Sequence, residues 1–172
     1  MRIIMITLIT LCALPSLAQE TSLKTLDFFV GEWSLITTGT QPDGSLVKGK
    51  ARSKVKYILD GHAIEDDYYD LNENGDVVFR GISIRSYNRN TKRFQIVWVM
   101  PGVKGITDID AEWKDGKLVS TGKGYDGYGE FLERFEYYDI TKDTYKFKMD
   151  RSYDGGNHWI ENFSRIEAKR VK

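Results

Sequence analysis

The stretch Val47-Lys48-Gly49-Lys50-Ala51-Arg52-Ser53-Lys54-Val55-Lys56-Tyr57 decides the fold class. Every second residue is basic, and the residues between are mostly small or apolar. A period of two places alternate side chains on opposite faces of a strand, whereas a helix would scatter the same cations around its circumference. A basic stripe invites comparison with a surface for polyanions. Because the opposite face is small and apolar, the stretch reads as a strand with one solvated side and one side packed on a core.

The same period runs through neighbouring segments. Phe94, Ile96, Trp98 and Met100 share one face, as do Tyr145, Phe147 and Met149. Turn signals recur at short intervals: Gln41-Pro42-Asp43-Gly44, Leu59-Asp60-Gly61, Asn72-Glu73-Asn74-Gly75, Asn88-Arg89-Asn90-Thr91, Pro101-Gly102, Lys114-Asp115-Gly116, Thr141-Lys142-Asp143 and Asp154-Gly155-Gly156-Asn157. Such spacing marks a meander of antiparallel strands. With the basic stretch, strands are expected at Val30–Thr38, Ala63–Asp70, Val77–Tyr87, Arg93–Met100, Thr107–Trp113, Leu118–Thr121, Glu130–Ile140, Thr144–Ser152 and Trp159–Ile166. Only Ser22 to Phe29 reads as helical, with Ser22 as cap and Leu23, Leu26 and Phe29 on one side. Parallel pairing needs long crossovers that these short turns cannot supply. The expected architecture is all-β: an antiparallel up-and-down barrel of about ten strands with a short N-terminal helix, closed so that no edge is exposed.

Met1-Arg2, the apolar run Ile3 to Leu14, Pro15 and Ser16-Leu17-Ala18 read as an export signal cleaved after Ala18. The run is shorter than the roughly 20 residues a membrane span needs. The one cysteine, Cys12, lies inside the signal, after a leucine too large for a lipoprotein cleavage site. The expected mature chain, residues 19–172, is therefore one periplasmic or secreted domain held by its core without disulfides. Basic and acidic side chains number 25 each, and loss of Arg2 leaves one negative charge in excess. That balance gives no electrostatic reason to expect nucleic acid. No second apolar stretch points to a membrane span.

Gly31-Glu32-Trp33 opens the first strand after the helix, and this placement resembles the Gly-x-Trp signature of lipocalins and related barrels. Three further blocks accompany it: Leu26 to Val30, Ile58-Leu59-Asp60-Gly61-His62-Ala63-Ile64-Glu65, and Tyr87-Asn88-Arg89-Asn90-Thr91-Lys92-Arg93-Phe94. With the closing Asp154-Gly155-Gly156, Trp159 and Arg165, the chain resembles a bacterial family of exported lipocalin-like proteins catalogued as domain of unknown function 1579. The resemblance implies a barrel with an internal cavity, Trp33 at its floor, and no established chemistry. It also implies an acidic residue just after the tryptophan-bearing middle strand, where this chain has Val99-Met100-Pro101-Gly102.

Local motifs add little chemistry. Gly122-Lys123-Gly124-Tyr125-Asp126-Gly127 fits the dinucleotide string, but the next segment alternates as a strand instead of opening a helix. It reads as a flexible loop whose Tyr125 and Tyr128 are free to fold over the barrel mouth. Asp70 to Gly75 begins like a calcium loop, but the twelfth position is Gly81 and carries no carboxylate. Ser152-Tyr153-Asp154-Gly155-Gly156-Asn157-His158-Trp159 resembles the Asp-box, a hairpin turn of sugar-processing proteins, with His158 where threonine is usual. Asp154 and Trp159 are read as turn architecture. His62 and His158 have no partners at zinc-ligand spacing, and the motif expected for haem in such barrels is missing. No metal or cofactor is expected.

What remains is charge inside strands, and any such group that faces the lumen is a functional candidate. Glu65, Arg80 and Arg134 are expected to point inward, with Trp98 and Trp113 as apolar wall. The expected role is a barrel holding an apolar or amphipathic small molecule. An alternative is an isomerase, lyase or hydrolase for a sugar or lipid-like substrate, with Glu65 as acid or base and Arg134 stabilising developing negative charge. A further alternative is an accessory or interaction module. Oligomeric state is open.

Overall fold

A computed structural model describes residues 21–41 and 43–172, so the expected export signal over residues 1–18 lies outside the described residues. Among those described, the chain forms a 3₁₀ helix, Leu23–Phe29, followed by ten strands. These are β1 (Gly31–Thr40), β2 (Leu46–Ile58), β3 (Ala63–Leu71), β4 (Val77–Asn88) and β5 (Arg93–Val99), then β6 (Thr107–Lys114), β7 (Lys117–Asp126), β8 (Gly129–Tyr138), β9 (Thr144–Ser152) and β10 (Ile160–Arg170). Each strand pairs antiparallel with the next, and β10 returns to β1, with Trp33 opposite Arg170. The sheet closes on itself as an up-and-down barrel, which satisfies both edges of every strand. No helix among the described residues is long and apolar enough to cross a membrane.

The helix is tighter than an α-helix, and its sequence shows why. Leu23, Leu26 and Phe29 recur every third residue, and three residues per turn bring all of them onto one side. All three are buried at one end of the barrel. Thr25 Oγ1 accepts the Ser22 backbone N–H at 3.2 Å and holds the first turn. The chain then enters β1 through Gly31, whose φ of 137° lies where side-chain-bearing residues are strained. A Cβ there would come 2.2 Å from Arg170 Nη1, so glycine is needed twice over.

That guanidinium secures the floor. Arg170 donates from Nη1 to the Val30 carbonyl at 2.7 Å and from Nη2 to the Phe28 carbonyl at 2.6 Å. It also lies over the Trp33 ring, 4.2 Å from the centroid. Trp33 is fully buried, donates its indole N–H to the Phe29 carbonyl at 2.8 Å, and packs against Tyr145. Helix, first strand and last strand thus meet around one indole.

The expected loop at Gly122–Gly127 is strand as far as Asp126. The period of two is hidden there because the inward positions are Gly122 and Gly124, which have no side chain to display it. A Cβ at Gly122 would meet Ile109 at 2.9 Å, and one at Gly124 would meet Thr107 at 2.5 Å. Tyr125 and Tyr128 are exposed at this rim, with only Gly127 and Tyr128 left between β7 and β8. The basic stripe of β2 faces solvent along its length, while Ala51, Ser53 and Val55 turn inward.

Candidate functional site

Alternation projects one side chain in two into the lumen, and inward residues of every strand but β7 line a cavity of about 300 Å³. Phe29 of the helix and Tyr145 bound it toward the floor, while Trp98, Phe79 and Asp70 bound it toward the opposite end. Aromatic and aliphatic side chains make up most of the wall, and three polar groupings interrupt it.

Arg85 of β4 anchors the deepest one. Its side chain is 5% exposed. Nη1 donates to Ser83 Oγ at 2.7 Å, and Nη2 donates to Asp66 Oδ2 at 3.3 Å and to the Tyr137 hydroxyl oxygen at 3.2 Å. The Ser53 hydroxyl donates to the other Asp66 oxygen. The ring of Phe29 lies 4.2 Å from the guanidinium carbon. Burial works against the Arg85 charge, but Tyr137 and Asp66 beside it hold its pKa above the ordinary value. Burial pushes the Tyr137 and Tyr145 phenols up, so both remain protonated at neutral pH.

Arg151 of β9 organises the second. It donates to Glu133 Oε2 at 3.0 Å and to Asp126 Oδ2 at 2.9 Å, while the Tyr153 hydroxyl reaches the same Asp126 oxygen at 2.6 Å. Its guanidinium is sandwiched between the rings of Phe131 and Phe163, at 3.8 and 4.4 Å. The Glu133 side chain is 5% exposed. Burial raises its pKa, with Arg151 opposing, so desolvation wins. The third grouping is a Tyr68 hydroxyl donating to Asp70 Oδ1 at 2.6 Å, with the phenol pushed well up by burial and then by that carboxylate.

Trp98 lines this cavity as expected from its parity. Its indole lies across Gly81, where a Cβ would sit 2.3 Å from the ring. Trp113 also turns inward but stays at the floor, 6.0 Å from Phe28 and outside the cavity lining. The three charged candidates face the other way. Glu65 pairs with Lys56 at 3.0 Å, Arg80 clamps Asp67 with two bonds of 2.8 Å, and Arg134 pairs with Asp150 at 2.9 Å beneath the Trp159 ring. All three pairs lie on the outer wall, where long side chains keep their charges in water.

Their inward counterparts are immediate or near neighbours: Asp66 beside Glu65, Arg85 on the strand of Arg80, and Glu133 beside Arg134. β8 carried a usable signal, since Phe131, Phe135 and Tyr137 share the parity of Glu133. β4 inverts the usual rule, with Ile82 and Ile84 on the outer wall and Ser83 and Arg85 inside. A reading that sends apolar residues inward fails there.

The turn motifs are structural. Asp154 accepts the His158 backbone N–H at 2.9 Å, and the Trp159 indole donates to the Gly156 carbonyl at 3.0 Å, which is how an Asp-box turn is held. In the Asn72–Asp76 turn, Asn72 Oδ1 accepts the Asp76 N–H at 2.9 Å. Among the described residues no group of three His, Cys, Asp or Glu side chains is placed to hold a metal ion.

The family model described as "protein of unknown function (DUF1579)" matches residues 20–170. The chain belongs to the DUF1579 family. No curated protein matches it. Two solved barrels are similar in shape to this DUF1579 chain. Rv2717c from M. tuberculosis superposes with a TM-score of 0.64 at 12% identity, over 91% of this chain and all of that one. The S-type phycobiliprotein lyase CPES from Guillardia theta superposes with a TM-score of 0.61 at 12% identity, over 88% of this chain and 94% of the lyase. At such identity the likeness is one of fold.

Proposed function

We propose that this DUF1579 chain is an exported binding protein, one barrel domain over residues 19–172, that holds a small apolar or amphipathic molecule in its lumen. The observation that carries the reading is the cavity itself: about 300 Å³ in the barrel interior, walled by aromatic side chains and punctuated by a few fixed polar groups. A barrel needing only stability would fill that volume with side chains, because empty core space costs free energy. Trp98, Tyr68 and Phe79 would contact the ligand, and the polar group set among them, Asp70, would orient its polar end. Glu65, Arg80, Arg134 and Trp113 have no part in it.

Native mass spectrometry of protein purified from its own host tests the reading. The expected spectrum contains a co-purifying small molecule released by denaturation. Protein that emerges ligand-free, and that takes up no apolar dye competed by host lipid extract, would overturn it. N-terminal sequencing of the same sample tests export, and the mature chain is expected to begin at Gln19.

Glu133 favours a second reading. A buried carboxylate that lines the cavity, with a raised pKa and one oxygen that accepts no hydrogen bond among the described residues, has the attributes of a general acid or base. In that case Glu133→Gln would abolish turnover of the recovered ligand while leaving its binding intact. Loss of neither would return the protein to a carrier role.

A further inference from the structure

The charges that line the cavity do not balance. Asp66, Asp70 and Glu133 face Arg85 and Arg151, and among the described residues no lysine or histidine lines it. Asp66 and Arg85 are spent on each other. Arg151 is shared between Glu133 and Asp126, so it cannot fully neutralise either. Glu133 Oε1 accepts no hydrogen bond among the described residues, and Gly122 keeps the space beside it clear. Asp70, half-buried, has the neutral Tyr68 hydroxyl as its one side-chain hydrogen-bond partner among the described residues. A carboxylate in apolar surroundings without a cation is costly, and that cost falls when a cation arrives.

The surroundings of Asp70 are suited to one. Phe79 stands directly opposite it across β3 and β4, and Tyr68 is two residues along its own strand. Trp98, pressed against Gly81, completes a set of three rings whose centroids lie 5.9, 6.4 and 6.5 Å apart. Ring faces attract cations through their quadrupole, most strongly where water is excluded. One uncompensated carboxylate among three aromatic rings is chemistry for an ammonium group. An anion would meet Asp70 and Glu133, and would find Arg85 already committed to Asp66.

Resting on the binding-protein reading above, we propose that the lumen takes an organic cation, an amine or quaternary ammonium on an apolar body, with its charged head between Asp70 and the rings of Tyr68, Phe79 and Trp98. The apolar body then lies along Ile96, Phe135 and Met149 toward the floor. The outer basic stripe of β2 plays no part in this selection, because it faces solvent on the far side of the wall.

A head-group series on the purified protein tests this without any mutation. Octyltrimethylammonium, octanol and octanoate share one tail and differ in charge, and their binding is read by calorimetry and by tryptophan emission. The ammonium is expected to bind about tenfold or more tighter than the alcohol, with the carboxylate weakest. Asp70→Asn should remove most of the ammonium's advantage and leave octanol nearly unchanged, and Trp98→Leu should weaken the ammonium more than the alcohol. Equal or tighter binding of octanol or octanoate overturns the cation assignment and leaves the ligand-binding barrel standing. Failure of all three to bind at millimolar concentration overturns both.

Discussion

Asp66 and Asp67 are consecutive on β3, and each pairs with an arginine of β4, yet one pair lives inside the barrel and the other outside. Asp66 meets Arg85 with side chains 9% and 5% exposed, in a lumen of rings. Asp67 meets Arg80 with that arginine 56% exposed, although its two-pronged geometry is the better of the two. Position therefore outweighs geometry. The outer pair gives up little hydration and gains little, whereas the inner pair has lost its water and depends on its partner. What a sheet one residue thick separates here is a solvated decoration from an obligatory network.

The sharpest way to break that contrast is Arg85→Met. It strands Asp66 in the lumen and is expected to cost about 3–5 kcal/mol in urea unfolding. Asp66→Asn combined with Arg85→Met should cost clearly less than the two single changes added together. Additive losses would show that the inner pair is not a unit.

Gly81→Ala probes the same inner face by volume instead of charge. The new methyl meets the Trp98 ring, and overpacking of that kind costs about 1–3 kcal/mol. A shift in tryptophan emission should accompany it. A variant as stable as the parent would mean that the indole has free room to move.

Glu133→Gln tests the inner face through pH. Burial raises the folded-state pKa of Glu133 above its unfolded value, so the stability it contributes is complete below the unfolded pKa and fades as pH rises through the folded one. The variant lacks this dependence. Its stability relative to wild type should therefore improve as pH is raised from acid toward neutral, and a gap constant with pH would contradict the assignment. On the outer wall, Glu65→Gln and Arg134→Met should each fall within about 0–1 kcal/mol of wild type, and Arg80→Met should melt with it.

The barrel was legible in the sequence because its signals are repetitive. Alternation in Val47–Tyr57 and Arg93–Met100, and turns of the Asn-Gly and Asp-Gly kind, each report strand or reversal independently, so errors at single positions cancel. Even the helix was visible, as a spacing of three at Leu23, Leu26 and Phe29. The site offered no such redundancy. Glu65-Asp66-Asp67 presents acids at both parities, and the choice between them depends on whether Ile64 or Ala63 leads the strand inward; both are buried. A slip of one residue moves a whole set of side chains through the wall. On β4 the isoleucines point outward, so the usual guide misleads. Arg170, which ties the floor together, is one cation among many at the level of sequence, since its partners are carbonyls that any residue supplies.

The latch formed by Arg170 also has a kinetic consequence. Its bond to Val30 spans 140 residues of chain, and β1 can gain its second neighbour only when β10 arrives. Contacts so distant in sequence pay their loop-closure entropy before they return any stability, and folds dominated by them form slowly. As the chain is synthesised, the helix and Trp33 emerge early and wait, with their apolar surface uncovered, for nearly the whole barrel to be made. Closure therefore has to await the last strand. Until it occurs the nascent sheet carries two open edges, the state in which such a chain is most exposed to pairing with another copy of itself.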